Sequence, residues 1–250
     1  MKMFKCLLIL PALSIAACSI KSDYQYDSTG YQAIEGASLS LENVHHVEVN
    51  WLNGNLYCSQ SQSESLAIVE SESEYPMYYK IKDDKLTIQF AKSGLSSRVI
   101  DNLNKDLTLV LPASLTSLSV NLAKVKAEMT GKIAISKGQF NLADGQCSFE
   151  TYAADESDFN LVNTNLEIKR VDVNYQSNEP QKHEMDINVV NASIKFGIDS
   201  EIGYRLDWKQ VNSRFICEYG DNNYEVGNKL INLDIDAVNT DFKITKIVTM

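Results

Sequence analysis

Apolar and polar residues recur along this chain in a ten-residue pattern. It first appears as VNWLNGNLYC from Val49. Six relatives follow: VNLAKVKAEM from Val120, FNLADGQCSF from Phe140, FNLVNTNLEI from Phe159, INVVNASIKF from Ile187, WKQVNSRFIC from Trp208 and IDAVNTDFKI from Ile235. Positions one, four, eight and ten are apolar in all seven copies, 28 of 28, where the overall composition would give about 12. Position two is Asn in five copies (Asn50, Asn121, Asn141, Asn160 and Asn188), and position five is Asn in five (Asn53, Asn163, Asn191, Asn212 and Asn239).

Alone, Asn53-Gly54 between alternating runs reads as a hairpin turn. The whole set points elsewhere. The apolar parity switches within each copy, so a straight strand cannot keep one face inward throughout. Asn followed by a small residue is a natural bend, because Asn tolerates left-handed backbone angles. Each copy therefore reads as strand, corner, strand. The last six copies begin 20, 19, 28, 21 and 27 residues apart, which is the period of stacked coils. The expected fold is all-β, a right-handed parallel β-solenoid of β-helix type, with an antiparallel sandwich or meander as the alternative. Stacking would align the Asn positions into ladders.

Between Cys58 and Val120 the pattern is less regular. It predicts strands in LAIVES, MYYKIK, KLTIQF and DLTLVLP, with Asp83-Asp84 as a turn. Here the chain resembles bacterial secreted proteins grouped as adhesin-like, which carry β-solenoid heads. The resemblance rests on Val47 and Val49 before Asn53-Gly54-Asn55-Leu56, on Leu86 and Ile88, on Leu107, Leu109, Leu111 and Pro112, and on Leu115, Leu118 and Val120. It covers nearly all of the chain after the leader, but several corners carry Thr, Ser or Ala where the family has Gly. It implies a non-catalytic role in the cell envelope.

The first residues add a location. Lys2 and Lys5 precede an apolar stretch from Cys6 to Ala17, which has the length of a signal peptide and is too short for a membrane span. It ends in Ile15-Ala16-Ala17-Cys18, which resembles the lipobox of bacterial lipoproteins. That resemblance implies cleavage before Cys18, a diacylglycerol on its thiol and further acylation of the new terminus. Two or three acyl chains hold a protein firmly to a bilayer. Ser19 rather than Asp after the cysteine resembles the outer-membrane class, if the host is Gram-negative. The sequence thus divides into a signal peptide (1–17), a flexible tether (18–43) and one β-solenoid-like domain (44–250).

Charge narrows the partners. The chain carries 23 basic and 33 acidic residues, a net charge of −10, and its four arginines are scattered. Nucleic acid is excluded as a partner class, since phosphate binding needs clustered cations. The expected partners are the membrane, through the lipid on Cys18, and an envelope protein or surface glycan.

No catalytic constellation, metal site or cofactor site is visible, and the expectation is a protein that is not an enzyme. His45 and His46 precede the first strand and His183 falls in a long insertion; solvated histidines are expected, because zinc needs further ligands at usable spacing. A polysaccharide-active β-helix is the catalytic alternative, with Asp172, Asp186, Asp199 and Asp207 as candidates by residue type. A subunit in envelope assembly is a third reading. Cys58, Cys147 and Cys217 occupy inward positions of non-neighbouring copies and are expected to stay free thiols. Trp51 and Trp208 are expected in packing.

Two coils are longer after position ten, in NYQSNEPQKHEM and EYGDNNYEVGNK. Insertions at one phase of a solenoid emerge on one edge. This places Tyr175, Tyr219 and Tyr224, with Tyr204 from the coil between, as exposed candidate contact residues about two rungs, roughly 10 Å, apart. Lys243 and Lys246 are expected to guard the terminal edge against pairing.

Overall fold

The computed structural model describes residues 23–71, 74–173, 181–220 and 222–248. The chain opens with β1 (Gln32–Ala33) and β2 (Ser38–Leu41), and the first copy supplies β3 (His46–Trp51) and β4 (Gly54–Gln60). The less regular stretch forms β5 (Leu66–Glu70), β6 (Tyr78–Lys82), β7 (Lys85–Gln89), a short helix α1 (Ser97–Asn102) and β8 (Lys105–Leu111). Copies two to five give β9 (Ser117–Ala123) and β10 (Val125–Ala134), β11 (Lys137–Ala143) and β12 (Gln146–Ala154), β13 (Glu156–Val162) and β14 (Asn165–Val173), and β15 (Gln181–Val190) and β16 (Ser193–Asp199). The sixth copy gives β17 (Gly203–Val211) and β18 (Arg214–Cys217). After β19 (Asn223–Tyr224), the seventh gives β20 (Lys229–Val238) and β21 (Asp241–Ile247).

The protein is all-β, built on two large, mostly parallel sheets. The first runs β1-β6-β7-β3-β9-β11-β13-β15-β20-β17-β19 and the second β18-β21-β16-β14-β12-β10-β4-β8-β5-β2. Every copy places one strand in each sheet, and strands of stacked copies pair in parallel with equivalent residues opposite each other, as in Phe140↔Phe159 and Asn141↔Asn160. The copies are thus not antiparallel hairpins. One continuous core fills the space between the sheets, from Val47 and Leu86 through Phe140, Phe149 and Phe159 to Phe242.

Two details of the repeat differ from expectation. The inward residues of the first strand are positions one and three, such as Val49 and Trp51, or Phe159 and Leu161. Position four, although apolar throughout, is only half-buried in most copies, because it already lies in the corner. Position five then takes the left-handed conformation at Lys124, Asp144, Asn163, Asn191, Asn212 and Asn239, with φ between 50 and 56°. In the first copy the turn moves to Gly54, φ 104°. A Cβ on Gly54 would lie 2.1 Å from the main-chain oxygen of Lys105, so glycine is required there by both backbone angle and space.

The stacking order departs from chain order at both ends. The strand pair β7/β8 stacks outside the first copy, although it follows it in sequence. At the far end, the seventh copy lies between the fifth and the sixth: β20 pairs with β15 and β17, and β21 with β16 and β18. The outermost rung is therefore copy six. Its third position is Gln210, exposed where five other copies bury an apolar side chain completely or nearly so and Leu122 is 6% exposed. Lys243 and Lys246 do not guard an edge, since β21 is paired on both sides. Lys243 instead meets Glu218 at 2.8 Å, and Lys246 lies over the Tyr219 ring.

Residues 23–43, expected as part of a tether, are packed. Tyr24 bridges to Leu95, β1 pairs with β6, and β2 pairs with β5, all antiparallel. Together with β5 and β6 they cover the outer edges of β7 and β8. Their polar composition fits half-exposed strands, and it hid them among spacer-like residues.

Candidate functional site

The repeated asparagines form two hydrogen-bonded ladders. At position two, the amide of Asn121 donates to Asn50 Oδ1 at 2.8 Å, Asn141 to Asn121 at 2.7 Å, Asn160 to Asn141 at 2.8 Å and Asn188 to Asn160 at 3.1 Å. At position five, Asn212 donates to Asn239 at 2.7 Å, Asn239 to Asn191 at 3.1 Å, Asn191 to Asn163 at 3.2 Å and Asn163 to the Asp144 carboxylate at 2.9 Å. The second ladder traces the interleaved copy order directly. Asn53 stands outside it; its amide donates to the Ile100 carbonyl of α1 at 2.9 Å.

The outer face of the first sheet changes character along the stack. Near the N-terminal end it carries His46, Glu48, Lys85, Ser117, Ser119, Lys137 and Gln139, which line a shallow groove. Further along, Asp158, Asp186, Asp234 and Asp207 stand in register on four successive rungs. Like charges on neighbouring strands repel. Lys209 offsets this, reaching Asp234 at 2.9 Å, Asp207 at 3.3 Å and Asp236 at 3.8 Å. The hydrogen bond to Asp234, with further contributions from Asp207 and the charge of Asp236, raises its pKa above the ordinary lysine value.

A few groups with reactive chemistry lie in the interior. Lys105 is fully buried. Its ammonium pairs with Glu70, donates to the carbonyls of Tyr75 at 2.8 Å and Phe90 at 2.5 Å, and sits over the rings of Trp51 and Phe90 at 5.0 and 4.7 Å. Glu70 also accepts the Met77 amide at 2.8 Å. An apolar box, a carboxylate and two carbonyls make a closed coordination shell for one ammonium. No sequence pattern points to this pair, because Lys105 and Glu70 meet through the antiparallel packing of β5 on β8.

His183 is not solvated. It lies on β15, wholly enclosed, with Nδ1 3.0 Å from the Asp172 carbonyl and Nε2 2.8 Å from Ser157 Oγ, which is 2.8 Å from the Tyr152 hydroxyl. A carbonyl only accepts, so Nδ1 carries the proton. Nε2 then accepts from Ser157, and Ser157 from Tyr152. Burial lowers the imidazole pKa to about 4, against a smaller opposing effect of the Asp172 carbonyl. The ring is held neutral.

The four aspartates considered for catalysis divide between the walls. Asp172 and Asp199, both buried at the ends of strands in the second sheet, lie 3.3 Å from Lys132 and 3.2 Å from Arg170. Asp186 and Asp207 stand on the outer face of the first sheet, two rungs apart.

Of the proposed contact tyrosines, three come together. Ring centroids of Tyr204 and Tyr219 are 5.3 Å apart, and those of Tyr219 and Tyr224 are 4.7 Å apart. They pack rather than project. Tyr204 is fully buried, where exposure was expected, with its hydroxyl 2.9 Å from Cys217 Sγ. Tyr219 and Tyr224 are half-buried and donate to the carbonyls of Ile198 at 2.8 Å and Ser200 at 3.1 Å. Tyr175 and Cys18 lie outside the described residues. The interleaved order also places the two longer coils three rungs apart rather than two. Cys58, Cys147 and Cys217 are not joined in disulfides; the first two are buried and the third half-buried.

No family model matches the chain, and a search of curated proteins finds no match. Solved structures do match. A structure described as "a putative cell adhesion protein" from Clostridium sporogenes is 15% identical, covering 84% of this chain and 98% of its own, with a TM-score of 0.42. "A putative adhesin" from Bacteroides fragilis is 13% identical, with coverages of 84% and 98% and a TM-score of 0.34. A "putative lipid binding protein" from Parabacteroides distasonis is 9% identical, with coverages of 88% and 96% and a TM-score of 0.33.

Proposed function

We propose that this chain is a lipid-anchored, non-catalytic protein of the cell envelope, a right-handed β-solenoid that works adhesin-like through surface contacts. The observation that carries the reading is where the chemistry lies. Lys105, Glu70, His183 and Tyr152 are buried and committed to partners inside the fold. What faces outward is a rigid, repeating polar surface. A stack of this kind presents extended walls whose side chains hold fixed spacings, which suits binding to a protein or glycan surface. The lipid on Cys18 would hold that surface at the envelope.

Attachment tests the reading. Cells carrying the gene and a deletion strain are compared for binding to host-matrix proteins and to purified glycans. Loss of binding on deletion, restored by the full chain, is the expected result. Release of sugar products from a polysaccharide by the purified chain would overturn it in favour of the catalytic alternative.

A further inference from the structure

The packed N-terminal residues change what a lipid on Cys18 would do. Tyr24 is pinned: its amide donates to the Leu95 carbonyl at 2.7 Å, its carbonyl accepts the Gly94 amide at 2.7 Å, and its hydroxyl donates to Gln89 Oε1 at 2.8 Å. Only six residue steps separate Cys18 from Tyr24. At full extension they span about 21 Å, from roughly 3.5 Å per residue. Tyr24 contacts the rung of β7, and seven rung steps lead from β7 to the outermost copy strand, β17. At about 4.8 Å per step, that is about 34 Å.

The reach is therefore shorter than the stack. We infer that the end of the protein bearing Tyr24, Tyr26 and Tyr31 is a seat on the lipid headgroups, and that copy six is the end presented outward. The inference rests on the lipid-anchor reading. The opposite orientation, copy six against the bilayer, would hold Tyr24 about 34 Å above it, beyond the covalent span. Lying on the first sheet would press Asp158, Asp186, Asp234 and Asp207 toward anionic headgroups. Lying on the second sheet would bring down a face of alternating charges such as Lys126, Glu128, Glu167 and Lys195.

The N-terminal end offers a different chemistry. Tyr24 and Tyr26 rings meet at 5.5 Å and those of Tyr26 and Tyr31 at 5.0 Å, with the Lys80 ammonium 5.6 Å from the Tyr31 ring centre. Ile81, on the second strand from that edge, is an exposed apolar side chain. All three tyrosines are half-buried, and the Tyr24 and Tyr26 hydroxyls donate inward, to Gln89 and to the Ala91 carbonyl at 3.1 Å. The cluster would therefore meet a headgroup layer through the uncovered part of each ring, the kind of aromatic surface found at membrane interfaces, and through the Lys80 ammonium.

Energy transfer tests it. The full chain, in a Cys217→Ser background, is labelled with a donor dye at Ser28→Cys or at Asn222→Cys and reconstituted in vesicles containing acceptor-headgroup lipid. The expected result is strong transfer from position 28 and several-fold weaker transfer from position 222. Equal transfer from both, or stronger transfer from 222, overturns the inference. The anchor is read separately: the intact mass of the membrane-extracted chain shows whether Cys18 carries acyl chains. If it does not, the anchor reading fails. The geometry is still measured on chain beginning at Cys18 and coupled there to a maleimide lipid, where the same two outcomes support or overturn it.

Discussion

The indole N–H of Trp51 donates to the main-chain carbonyl of Lys105 at 3.0 Å. Trp51 closes the first strand of copy one, and Lys105 opens the strand that stacks outside it. The same carbonyl stands where a Cβ on Gly54 would fall. One backbone group thus meets both the corner and the indole where the two rungs join.

Gly54→Ala should destabilise the protein by more than the ordinary cost of about 1 kcal/mol for a left-handed alanine, because the contact with a main-chain atom cannot relax by a rotamer change. Denaturant unfolding measures it. A loss no larger than that of Gly94→Ala, where φ is 93° and a Cβ would meet open space, would show that the corner gives way.

Lys105→Met leaves the Glu70 carboxylate buried without its ammonium, and should cost about 3–5 kcal/mol. The double variant Lys105→Met/Glu70→Leu removes both charges and should recover a large part of that. Equilibrium unfolding of both variants gives the coupling directly. Equal losses would mean that the aromatic box, not the charge pair, sets the cost.

His183 makes stability depend on pH. Its folded value is about 4 against 6.5 for the free group, so between these values the unfolded chain binds the extra proton. Stability therefore rises with pH through this window. It is complete above 6.5 and lost progressively as pH falls to about 4. The gap corresponds to at most about 3 kcal/mol. His183→Gln should flatten this part of the stability–pH curve, and an unchanged slope would assign it to carboxylates instead.

At Asn191 the backbone is left-handed and the amide is one step of a ladder. Asn191→Gly keeps the backbone freedom and removes the amide, whereas Asn191→Ala removes both. Alanine should cost about 1 kcal/mol more than glycine. Thermal unfolding of the pair separates backbone from ladder, and equal losses would leave only the ladder.

Cys58 has its thiol pushed up to about 12 and Cys147 is raised further, both by burial. A thiol reagent should react slowly with these two in the native protein and faster with half-buried Cys217. In denaturant all three should react. Fewer than three would reveal a disulfide and contradict the rung order.

Much of the repeat was legible in the sequence. The alternation around Phe140, Phe159 and Ile187 marks inward faces, and the Asn positions mark the corner and the position-two ladder. Position four misled, because an apolar residue in a corner resembles a core residue in composition. Asn53 misled for a related reason. Its Asn-Gly pair matches the other corners, yet Gly54 takes the left-handed angle and frees Asn53 to bond α1.

The sequence by itself determined the strand–corner–strand unit, since side-chain period and left-handed tolerance are local properties of the chain. It also determined that like residues would stack. Only the tertiary structure decided the order of the rungs. Six copies present nearly the same edge to their neighbours, so local pattern cannot order them, although Gln210 at the third position of copy six marks the rung left outermost. Burial of His183 and the pairing of Lys105 with Glu70 were decided there too, because those contacts join residues that no sequence spacing brings together.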